Sequence, residues 1–74
     1  MAHWLLTHCK TNVIKHIIHA SMSRRTVGLC FRWHNRAVEL LPFTTYNSDM
    51  IRWHCNRLTV EHADNQPVLS LSIE

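Results

Sequence analysis

The sequence predicts an α+β domain: an N-terminal amphipathic helix over residues 2–21, then a five-stranded antiparallel meander over residues 26–73. Three observations carry this expectation. Val13, Ile14, Ile17 and Ile18 recur at helical spacing, which breaks strand alternation. From Thr26 the period changes to two, with Leu29, Phe31 and Trp33 alternating with Cys30, Arg32 and His34. Arg32-Trp33-His34-Asn35-Arg36 is then nearly repeated as Arg52-Trp53-His54-Cys55-Asn56-Arg57, as two copies of one β-hairpin would be.

On a helical wheel Leu6, Cys9, Val13, Ile17 and Ala20 share one face with Leu5 beside them, and His8, Asn12, Lys15 and His19 share the opposite one. Thr7 or Thr11 offers a cap for a shorter helix, which would leave residues 2–6 extended. Ser21 to Arg25 has no periodicity and reads as the exit loop.

In the first hairpin Asn35-Arg36 is the expected turn, since Asn tolerates the positive φ of a type I′ turn. That register sets Trp33 against Val38 and Phe31 against Leu40 inside, with Arg32 opposite Glu39 outside. Pro42 ends the strand, and residues 44–49 form the loop between hairpins. The second hairpin, turning at Asn56-Arg57, sets Trp53 against Val60 inside and Arg52 against Glu61 outside. After a turn at residues 63–66, Pro67 opens a last strand with Leu69, Leu71 and Ile73 inward and Ser70 and Ser72 outward. A proline there suits a sheet edge. A bent meander of this kind with a helix packed on it resembles, in topology, a small SH3-like or Sm-like barrel; the other architecture is an open twisted sheet.

Composition bounds the function. A chain of 74 residues with 46% apolar content supports one domain with a small core. Three cysteines, an odd number, argue against a disulfide framework and for a reducing compartment, taken as the cytoplasm. No apolar run approaches the roughly 18 residues needed to cross a bilayer, so no membrane partner is expected. Residues 1–38 carry six basic side chains and no acid, whereas the remainder carries Arg52 and Arg57 against five acids. The basic front half suits phosphate or an acidic surface. Its acid-free helix also fits a mitochondrial presequence, the alternative location.

Catalysis is not expected. The single glycine, Gly28, leaves no phosphate-cradling loop and no nucleophile elbow. His8 and Cys9 point about 100° apart on a helix, and Cys9 falls on the apolar face. Seven histidines raise the question of a structural zinc module. Yet Cys30 and His34 lie roughly 13 Å apart along an extended strand, and His54 and Cys55 point to opposite faces. Only His16 and His19, one helical turn apart, form a chelating pair, without further ligands in view.

Binding remains. Arg36 and Arg57 at the two hairpin tips and Arg24 and Arg25 in the exit loop have no expected partners, and they are the leading contact residues. Arg32, His34, Arg52 and His54 would line the outer hairpin face, and Tyr46 would be exposed in the loop between hairpins. The expected function is a non-enzymatic interaction module or inhibitor of the phage or mobile-element type. It would dock on a larger protein or protein–nucleic-acid complex with an acidic or phosphate-binding surface. Direct binding of RNA or single-stranded DNA is the alternative. It calls for exposed rings beside basic groups, whereas Phe31, Trp33 and Trp53 fall on the inner parity.

Overall fold

The computed structural model describes residues 2–5, 7–23, 26–42 and 46–74, the side chains of Ala2, His3 and Leu5 excepted. Leu6, Arg24, Arg25 and Phe43, and the loop expected at Thr44-Thr45, therefore lie outside the described residues. The chain is a small α+β domain whose elements run β1 (Ala2–Leu5), α1 (Thr11–Ser21), β2 (Val27–Trp33), β3 (Arg36–Leu41), α2 (Ser48–Glu61) and β4 (Val68–Ile73). The strands form one open antiparallel sheet in the order β1-β4-β2-β3.

Period-two burial decides the layers. Val27, Leu29 and Phe31 of β2 and Leu69, Leu71 and Ile73 of β4 are buried on one sheet face. Both helices close over that face, α1 through Ile14 and Ile17 and α2 through Ile51, Cys55 and Leu58. The other face carries Gly28, Cys30, Arg32, Leu40, Ser70 and Ser72, and among the described residues no helix lies on it. That is the usual economy of an antiparallel sheet with one wet side.

The N-terminal helix is shorter than residues 2–21. It begins at Thr11 behind Lys10, which supplies no side-chain cap, and residues 2–5 pair with β4 as an edge strand. Its inner stripe is Ile14, Ile17 and Ser21, with Val13, Ile18 and Ala20 partly buried beside it.

The first hairpin forms one residue out of the expected register. The turn is His34-Asn35, both with positive φ (49° and 61°), and Trp33 pairs with Arg36. Val38 is the extra residue of a bulge, after which Phe31 faces Glu39, Cys30 faces Leu40 and Leu29 faces Leu41. The expected Trp33–Val38, Phe31–Leu40 and Arg32–Glu39 pairs are all absent. A one-residue slip moves side chains to the opposite face, and the bulge puts Glu39 on the helix-covered side.

The second hairpin does not exist. Residues 48–61 are helical, so among the described residues the sheet has four strands and neither the five-stranded meander nor a closed barrel forms. Asn47 caps α2 by accepting a hydrogen bond from the Met50 amide (2.8 Å), and Asp49 sits in the first turn. Both suit the positive end of a helix. Trp53, expected in the core, is 60% exposed, and Val60 is exposed on the same face. The last strand keeps its expected alternation but lies between β1 and β2, away from the edge, with Pro67 buried just before it.

Two further links tie the layers together. Cys9 and Cys55 form a disulfide across 46 residues, against the expectation from an odd cysteine count; Cys30 is the free thiol. Closing a loop of that length lowers the entropy of the unfolded chain by an amount equivalent to about 4 kcal/mol of stability. Tyr46, expected on the surface, is 3% exposed. Its hydroxyl accepts from the Leu29 amide (3.0 Å) and lies 2.8–3.0 Å from the Val27, Leu41 and Pro42 carbonyls. Burial raises the phenol above its usual 10.0, so the group stays protonated and able to donate.

Removing that hydroxyl would leave the Leu29 amide buried without its acceptor. Tyr46→Phe is expected to lower unfolding stability by about 1–3 kcal/mol in a urea titration; an unchanged midpoint would show that the hydroxyl carries no structural load.

Candidate functional site

The structure separates the basic residues into three places. The first is the β2–β3 tip. The left-handed turn at His34-Asn35 brings the strand ends together, so that Arg32, Trp33, His34 and Arg36 are neighbours. The end of α2 and the loop after it pack against the same tip. The His62 ring lies tilted on Trp33 with centroids 4.6 Å apart, and His34 meets the Trp33 ring edge-on at 4.2 Å. His8 completes the group from the segment before α1, its Nδ1 3.2 Å from the Pro67 carbonyl.

Between these parts is an open hollow of about 230 Å³, lined by His8, Arg32, Trp33, His34, Asn65 and Gln66 together with Val68. None of these side chains is acidic; Asp64, in the adjoining turn, is not among them. The hollow offers guanidinium, imidazole and amide groups beside one indole ring. That is a donor-rich surface suited to carboxylates or phosphates. His34 and Arg36 are exposed, and Arg32 and Trp33 are half-buried.

The second place is internal. Because the bulge turns Glu39 toward α2, its carboxylate meets Arg57 and His54. Arg57 spans two acids: one terminal nitrogen donates to Glu39 and the other to Glu61 at 2.8 Å, four residues on. The guanidinium carbon also stands 5.3 Å from the centre of the Trp53 ring. Arg57 is therefore a helix residue held by two carboxylates and is not a free cation at a turn, which corrects the expectation from sequence.

His54, expected on an outer face, has only 15% of its side chain exposed, and Nδ1 lies 2.5 Å from a Glu39 oxygen without hydrogen-bonding geometry. Burial pulls its pKa below the ordinary 6.5. The Glu39 charge acts in the opposite direction, but it is shared with Arg57. The expected Arg52–Glu61 pair is absent, Glu61 being engaged by Arg57 and Arg52 lying exposed on another side of the helix.

The third place is the outer side of α1. His16 and His19, the possible chelating pair, line a groove of about 450 Å³ with Trp4, Ala20, Met22 and Ile73. His16 stacks loosely on Trp4 at 5.7 Å. Among the described residues no three His, Cys, Asp or Glu side chains converge as a metal-binding set.

Of the contact residues expected from sequence, Arg32, His34 and Arg36 come together at the tip. His54 and Tyr46 are engaged inside the fold, Arg57 is paired with two acids at its margin, Arg52 stands apart, and Arg24 and Arg25 lie outside the described residues. Sequence reasoning missed His62 and His8 at the tip. His62 reaches it because α2 ends beside Trp33, and His8 through its contact with the Pro67 carbonyl; both are tertiary placements that no local sequence signal marks.

The chain matches no protein-family model, no curated protein and no solved structure. Within the described residues no helix is long and apolar enough to cross a membrane.

Two measurements check the internal cluster. The His54 ring should titrate below 6.5 by NMR. The stability tied to its neutral form is then fully present above 6.5 and lost as pH falls through the lower folded value. A midpoint at or above 6.5 would mean that the Glu39 charge outweighs burial. Arg57→Gln should cost about 1–2 kcal/mol in chemical denaturation, less than the 3–5 kcal/mol of a fully buried pair, because 34% of the Arg57 side chain is exposed.

Proposed function

We propose that this protein is a non-enzymatic interaction module that docks by its β2–β3 tip on an acidic surface of a larger macromolecule. The observation that carries the reading is the acid-free hollow in which Arg32, His34 and His8 surround Trp33, with Arg36 beside it. Interfaces concentrate binding energy in Trp and Arg side chains at the centre of a patch, and a guanidinium recognises carboxylates through two parallel hydrogen bonds. The turn geometry fixes these groups in advance, which lowers the entropic cost of association. Acting by occupying a partner's site, as a small inhibitor does, needs nothing more from the chain. A cytoplasmic address belongs to this proposal; there the Cys9–Cys55 bond would have to open and close.

A second reading, direct binding of RNA or single-stranded DNA, gains one specific observation. Trp53 is 60% exposed and Trp4 46% exposed, so two indole rings are open to solvent. The tip favours it less, since His62 already covers part of Trp33.

Charge reversal at the tip tests the first reading. Arg36→Glu combined with Arg32→Glu is expected to abolish capture of a protein partner from nuclease-treated lysate, while Arg52→Glu leaves it intact. Capture that survives the tip variant rejects the tip as the docking surface. Capture lost to nuclease, with affinity falling steeply in salt, transfers the proposal to nucleic acid.

A further inference from the structure

We propose that Cys9 and Cys55 form a reversible thiol–disulfide exchange site, in which Cys9 is the sulfur attacked by external low-molecular-weight thiols and Cys55 is the resolving partner. This stands independently of the docking reading.

The pair is asymmetric in a way that assigns the roles. Cys55 is 3% exposed in the middle of α2, whereas Cys9 is only partly buried in the segment leading into α1. Exchange requires an approaching thiolate to reach one sulfur along the S–S axis, so access decides which sulfur is attacked. A hollow of about 190 Å³ supplies the access: Cys9 and Cys55 lie in its wall with Thr11, Arg52, Asn56 and Gln66. Polar side chains dominate that wall, so a charged thiolate can enter without being stripped of hydrogen bonds.

Two features favour a thiolate at Cys9 once the bond opens. Cys9 stands two residues before the first residue of α1, and Lys10 at the cap position places no side chain on the first-turn amides, of which Val13 donates to Asn12 Oδ1 (3.0 Å). Arg52 contributes a positive charge to the same hollow. Positive helix ends and neighbouring guanidinium groups are what lower a cysteine pKa and make it exchange-competent. Cys30 is not a competitor by position. It lies in β2 in register with Leu40 and Ser70 on the uncovered sheet face, with the sheet between it and the helix layer.

The chemistry balances with a thiol as reductant. A thiolate attacks Cys9 Sγ, a mixed disulfide forms, and Cys55 leaves as a thiolate that takes a proton from water. A second thiolate then attacks the external sulfur of the mixed disulfide, releasing the small-molecule disulfide and freeing Cys9. Two thiols are oxidised and the protein bond gains two electrons; an external disulfide runs the sequence backwards.

Glutathione is the probe, applied to a Cys30→Ser protein under native conditions with mass-spectrometric readout after alkylation. Reduction is expected faster than global unfolding measured on the same protein by hydrogen exchange. In a Cys30→Ser, Cys55→Ser protein, oxidised glutathione should add once, at Cys9. The matching Cys9→Ser protein should leave Cys55 unmodified until denaturant is added. Arg52→Gln should slow the native reaction several-fold while leaving the urea midpoint of the oxidised protein in place. Should the single-cysteine proteins fail to fold, the native reduction rate of the Cys30→Ser protein still decides. Reduction only at the unfolding rate, or equal labelling of Cys55, would overturn the assignment, and an unchanged rate in Arg52→Gln would count against it.

Discussion

The fold depends on one constraint, that a four-stranded sheet in a chain this short can cover only one of its faces. Val27, Leu29, Phe31, Leu69, Leu71 and Ile73 choose that face by parity, and both helices are committed to it. Everything charged must then be solved within two layers. Glu39 is the informative case. The Val38 bulge rotates its carboxylate under α2, where water is scarce, and the helix answers with Arg57 and His54. A carboxylate left alone there would carry a large desolvation cost. The same arrangement holds Arg57 between two carboxylates and sets its guanidinium beside the exposed Trp53 ring.

The β2–β3 tip and the disulfide draw on neighbouring parts of the chain. His8 faces the tip hollow, and Cys9, the next residue, faces the disulfide hollow on the other side of the segment. His62 and Cys55 divide α2 in the same way, one at the C-cap and the other on the buried stripe. Neither concavity is large, and among the described residues no three His, Cys, Asp or Glu side chains converge as a metal-binding set. Positioned donors on a rigid turn suit recognition, which asks for fixed geometry more than for a sealed pocket.

Where local signals were unambiguous, the sequence was a good guide. The helical spacing around Ile14 and Ile17, the alternation of β2, a hairpin near Asn35 and the inward Leu69, Leu71 and Ile73 all appear in the structure. The large error was α2. Ile51, Trp53 and Cys55 alternate as a strand would, while Ile51, Cys55 and Leu58 also follow a helical stripe, and a short apolar run cannot choose between them. The repeated Arg-Trp-His string lent weight to the strand, although Asn47 and Asp49 marked a helix start. Once the helix forms, Trp53 turns outward, Arg57 meets Glu39, and Cys55 comes within reach of Cys9. The tip survived because its residues are local to one turn. Its His8 and His62 contributions were not legible, since they arrive through tertiary packing alone.

The position of β4 carries a kinetic consequence. The strand latest in sequence is central in space: it pairs with β1 on one side and β2 on the other, and three of its side chains lie in the core. A growing chain that has not reached Val68 can form the β2–β3 hairpin and lengths of helix, but β1 then has no neighbour and the core lacks Leu69, Leu71 and Ile73. Contacts between residues 2–5 and 70–73 are among the most distant the sequence allows, and pairings of that span slow the search for the native state. The sheet is therefore completed only once Val68–Ile73 has been made, and until then β2 lacks the strand that pairs along its inner edge.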